Sequence, residues 1–65
     1  MDEPAGVLER WLPVDPQIRH KVDRLQPGQI LNFAVMRGLN RIELCMSYEE
    51  VQFVKAKLTL QGMLK

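Results

Sequence analysis

The stretch Arg41-Ile42-Glu43-Leu44-Cys45-Met46-Ser47-Tyr48-Glu49-Glu50 decides the fold. Ile42, Leu44 and Met46 alternate with Arg41, Glu43 and Cys45. A period of two sends successive side chains to opposite faces, so this segment reads as a strand with one apolar face. Ser47 stands three residues before Glu50, ahead of a further apolar run. That is a capping box: the Ser47 hydroxyl accepts from the Glu50 N–H, and the Glu50 carboxylate accepts from the Ser47 N–H. A strand therefore runs directly into a capped helix.

Working upstream, Leu31, Phe33 and Val35 form an apolar face that matches the one on 41–46. Between them lies Arg37-Gly38-Leu39-Asn40, where Gly38 and Asn40 tolerate positive φ. This reads as a hairpin with a four-residue loop. A helix-turn-helix is the alternative for 30–46, with Ala34 and Gly38 four apart and Phe33, Leu39 and Leu44 at apolar positions. It conflicts with the alternation from Arg41 to Met46, and it places the capping residue Ser47 where that motif needs an apolar one.

Two short helices are expected before the hairpin. Asp2 or Glu3 followed by Pro4 suits a helix start, and Leu8, Trp11 and Leu12 share one face. Pro13 ends that helix. Asp15-Pro16 opens the second, with Asp15 as N-cap and Pro16 in the first helical position. Its stripe is Ile18, Val22 and Leu25, its exposed i,i+4 ion pair is Arg19–Asp23, and Pro27-Gly28 closes it. The predicted fold is a small α+β domain over residues 1–65. It has a mobile N-terminus at 1–4, two short N-terminal helices, a β-hairpin at about 30–36 and 41–46, and a capped C-terminal helix at about 48–61. The alternative is an all-α chain with a helix-turn-helix.

The C-terminal helix carries apolar residues on two sides. Val51, Val54 and Leu58 point one way, and Phe53, Ala56 and Leu60 point nearly opposite, at about 100° per residue. A helix apolar on two sides must be covered on two sides. The hairpin covers one; the other is left to the N-terminal helices or to a second copy of the chain. Gly62 is expected to loosen the helix end, leaving Met63 and Leu64 to trail or dock.

Size supports the need for a partner. A chain of 65 residues is one domain, and at this length only about 60% of the unfolded surface is buried. Cys45 is the single cysteine and His20 the single histidine, so neither an internal disulfide nor a closed four-ligand zinc site is expected. The start, Met1-Asp2-Glu3, is acidic where a secretory leader is basic, and no apolar run reaches membrane-spanning length, so a reduced cytoplasmic setting without a membrane partner is expected.

Catalytic chemistry has no visible basis. His20 has Pro16 and Arg24 at the positions four residues away, and no carboxylate there to orient it. Glu49 and Glu50 are adjacent on a helix and diverge, and their first-turn position is explained by capping and the helix dipole. Cys45, on the strand face opposite Ile42, Leu44 and Met46, is expected to be a semi-buried structural thiol. No phosphate-cradling glycine loop is present. No enzyme, catalytic residue, cofactor or metal is expected.

Binding is the better expectation. Trp11, Phe53, Ala56 and Leu60 are the candidate interface residues, Trp11 because tryptophan is enriched at binding hot spots and the others from the two-sided helix. The favoured function is a small non-enzymatic protein-binding or regulatory module, working as a homodimer. The alternative is a small dimeric nucleic-acid-binding regulator. Net charge is only +1, yet residues 16–41 are locally basic, and Arg19, Lys21, Arg24, Arg37 and Arg41 are the candidate phosphate contacts. The sequence pI of about 7.9 lies below the basic range usual for such domains.

Overall fold

The structure is a computed structural model that describes residues 3–64. It runs α1 (Pro4–Trp11), α2 (Pro16–Arg24), β1 (Ile30–Arg37), β2 (Asn40–Ser47) and α3 (Tyr48–Leu60). This is the expected α+β order of two helices, a hairpin and a capped helix. Met1 and Asp2, half of the segment expected to be mobile, lie outside the described residues; Glu3 and Pro4 are the N-cap and first residue of α1.

The two strands form an antiparallel sheet in which Leu31 faces Met46, Phe33 faces Leu44 and Val35 faces Ile42. All six side chains lie on one face, which removes the helix-turn-helix alternative: a helical period would scatter them. The loop is tighter than the sequence suggested. Arg37 pairs with Asn40, so only Gly38 and Leu39 connect the strands. Gly38 has φ 64°, and among the described residues no non-glycine residue has positive φ. Positive φ at the first central position alone is the requirement of a type II′ turn, whose twist matches that of the flanking strands. Asn40 is therefore a strand residue and needs no left-handed conformation.

Local chemistry fixes the helix ends. Asp15 Oδ1 accepts from the N–H groups of Gln17 (2.9 Å) and Ile18 (3.3 Å) and so caps α2. At α3 the capping box is complete: the Glu50 N–H donates to Ser47 Oγ (3.3 Å) and the Ser47 N–H donates to Glu50 Oε1 (3.4 Å). The other end of α3 is not loosened by Gly62. Gly62 takes φ 77°, its N–H donates to the Thr59 carbonyl, and the Met63 N–H reaches back to the Leu58 carbonyl. These two bonds make a Schellman motif, in which only glycine adopts the reversing conformation without strain. The reversal sends Leu64 into the core.

That core contains Leu8 and Leu12 from the first helical segment, Ile18 and Val22 from α2, Leu31, Phe33 and Met46 from the sheet, and Val51, Val54 and Leu58 from α3. The sheet is best covered near its base. Leu31, Phe33 and Met46 are buried, whereas Val35, Ile42 and Leu44 are half-buried. One expected contact is replaced: Asp23 pairs across to Lys55 on α3 (3.4 Å) in place of Arg19 on its own helix. An i,i+4 pair on an exposed helix is worth only a few tenths of a kcal/mol, so a tertiary partner easily displaces it.

Candidate interaction surface

The capping box sets where α3 begins, and the helical period then sets which way each residue points. Val51, Val54 and Leu58 turn inward and are almost fully buried. Phe53 and Leu60 turn outward and remain 72% and 89% exposed, with Ala56 exposed between them. The large apolar side chains on this outer face have no cover from α1, α2 or the hairpin. Isolated surface leucines are ordinary, but an exposed phenylalanine and leucine aligned on one helix face form a patch of the kind that marks interaction sites.

Trp11, the fourth interface candidate, is elsewhere. It is half-buried and packs against the core. It also forms part of a cleft of about 360 Å³ with Val7, Val35 and Ile42 at the hairpin tip, where Arg10, Arg37 and Glu3 line the edges. The structure thus brings Phe53, Ala56 and Leu60 together and leaves Trp11 on a different surface, where its indole helps to cover the thinner end of the sheet.

The five basic candidates do not gather in one place, although Lys21 shares one cleft with Arg41 and another with Arg24. Lys21 and Arg41 line one cleft with Asn32, Ala34, Glu43 and Cys45 on the open side of the hairpin. Arg41 is held there by Glu43, its Nη1 lying 2.6 Å from Oε1, which offsets its charge. Arg24 lies by the β1 start with Lys21. Arg19 lies near Lys55 and Asp23, and Arg37 lies at the hairpin tip. Five cations that are close in sequence are thus dispersed over several surfaces, because α2 and the hairpin present them in different directions.

Cys45 is exposed, not semi-buried. The sheet has two strands and helices on one face only, so its other face carries Asn32, Met36 and Cys45 into solvent. Met36 and Ile30 are 60% and 61% exposed, and Leu39 at the turn is fully exposed. Sequence reading did not single out Ile30 or Leu39 as surface apolar groups; strand alternation places Ile30 with Asn32, and Leu39 is marked only by its place in the turn. His20 is also exposed, on α2. Among the described residues, no group of three or more His, Cys, Asp and Glu side chains could hold a metal ion, and no helix is long and apolar enough to cross a membrane.

Comparison with protein-family models, with curated proteins and with solved structures gave no match.

Proposed function

We propose that this chain is a small non-enzymatic interaction module of regulatory type that works as a homodimer through the outer face of α3. The observation that carries the reading is the exposure of Phe53 and Leu60 on a helix whose opposite face is already fully used by the core. Leaving those two side chains in water forgoes roughly 1.5–3 kcal/mol each relative to burying them. A second chain recovers that energy without any change in the subunit's own packing. The small size of the domain makes the gain matter, since a single core of this size supplies only a few kcal/mol of net stability.

Sedimentation equilibrium on the purified protein tests the reading. The expected result is a concentration-dependent dimer for the unaltered chain and a monomer with an unchanged circular dichroism spectrum for Phe53→Asp. A monomeric unaltered chain up to high micromolar concentration would overturn the homodimer.

A further inference from the structure

Glu49, Phe53, Ala56 and Leu60 follow one another at steps of four, three and four along α3, and all four are exposed. That is the spacing of a seam between paired helices. On one flank of the seam stand Glu50 and Lys57, seven residues apart; on the other stand Gln52 and Thr59, also seven apart. We infer that α3 pairs with α3 of a second copy in antiparallel orientation, with Phe53 set against the partner's Ala56 and Glu50 beside the partner's Lys57. This rests on the homodimer reading above and adds the orientation and register of the pair.

Three features of the face converge on that arrangement. In an antiparallel pair, residues on the same flank of the two helices meet. A two-fold axis near residues 54–55 carries Glu50 of each chain toward Lys57 of the other, twice over, and carries Gln52 toward Thr59. The charges are self-complementary under that operation, which is what an isologous contact demands. The shapes agree as well. The axis that matches the charges also places the bulky Phe53 over the small Ala56, so each ring fills the space that the facing alanine leaves. A parallel pair does the opposite. Phe53 would meet Phe53, Ala56 would face Ala56 across a gap, and Glu49 would meet Glu49 inside the seam, where like charges repel. Helix dipoles oppose each other favourably in the antiparallel pair as well.

Within the subunit, Lys57 Nζ lies 3.0 Å from Glu9 Oε1, and Glu50 uses Oε1 for the capping box. Neither bond blocks the pairing. An ammonium has three donors, and the second Glu50 oxygen remains available.

Spin labels distinguish the orientations. On a Cys45→Ser background, a label is placed at Gln61→Cys, outside the seam, and the distance between copies is measured by pulsed electron resonance. At about 1.5 Å of rise per residue, the inferred register separates the two copies of residue 61 by about 20 Å along the axis. A parallel pair leaves them at only the helix spacing of about 8–10 Å. A double-mutant cycle on dimer affinity with Glu50→Gln and Lys57→Gln tests the register; glutamine keeps the capping acceptor. Each single change is expected to weaken the dimer several-fold, with the double variant little worse than either, and the effect is expected to shrink at high salt. A dimer with the label at helix spacing overturns the inference while leaving the homodimer intact. Antiparallel distances with additive single effects overturn the charge register. A monomer at every concentration overturns the homodimer reading and the inference together.

Discussion

The two faces of α3 have nearly the same composition and opposite fates. Val51, Val54 and Leu58 are at most 2% exposed, whereas Phe53 and Leu60 are 72% and 89% exposed. Leu58 and Leu60 are the same residue type two positions apart, so hydrophobicity cannot separate them. What separates them is angle. Two residues of helix turn the side chain by about 200°, enough to carry it from the core to water. The difference teaches that an apolar residue on a helix is a demand for cover, and that the described residues of the chain meet this demand on one side only.

The sharpest way to break the comparison is to remove the same atoms from each face. Leu58→Ala is expected to destabilise the folded chain by about 2–5 kcal/mol, because it leaves a cavity in the core. Leu60→Ala is expected to change its stability by less than about 0.5 kcal/mol. Both are measured by denaturant unfolding on the Phe53→Asp background, so that self-association does not enter. Equal effects would show that the outer face is packed within the chain after all.

Phe53→Asp itself asks whether the outer face has a use. It is expected to weaken self-association by about 2 kcal/mol or more, a factor of roughly 30, as read by sedimentation, with the unfolding midpoint of the monomer nearly unchanged. A variant that unfolds instead would assign Phe53 to the inner packing.

Smaller effects come from the devices that hold the two faces in register. Gly62→Ala forces a side chain into the conformation at φ 77°, where nothing within 4 Å would obstruct the new methyl group, so the cost is conformational alone. It is expected to be about 1–2 kcal/mol, seen as a lower unfolding midpoint. Ser47→Ala removes the hydroxyl that caps α3 and is expected to cost about 1 kcal/mol. If Ser47→Ala cost nothing, the start of α3 would be set by the sheet and not by the cap.

Much of this was legible in the residues. The alternation from Ile42 to Met46 and the Ser47–Glu50 spacing located the hairpin and the helix start, because both are local: each depends on side chains within a few positions of one another. The Asp15-Pro16 start of α2 was legible for the same reason. The outer face of α3 followed from the helical period once the helix was placed. The failures were of another kind. The residues alone suggest a four-residue hairpin loop because Asn40 tolerates the same conformations as Gly38; only the strand pairing shows that Arg37 already faces Asn40. Gly62 by itself suggests a loose end, although glycine just past a helix is also the mark of a closing motif, and the choice depends on whether Leu64 has a core to enter. Lys55 took Asp23 away from Arg19 because the fold brings the Lys55 ammonium within 3.4 Å of the Asp23 carboxylate, which no local pattern announces.

The sequence by itself thus determined the five elements, their order and the two apolar sides of the last helix, since these arise from periodicity and from hydrogen bonds between near neighbours. Tertiary structure alone decided which of those sides the core would take, how Trp11 parted from Phe53 and Leu60, and where the scattered arginines would point. The physical reason is that burial is a competition for a limited surface. The described residues cover one face of α3, and the geometry of the hairpin and α1 settles which face that is.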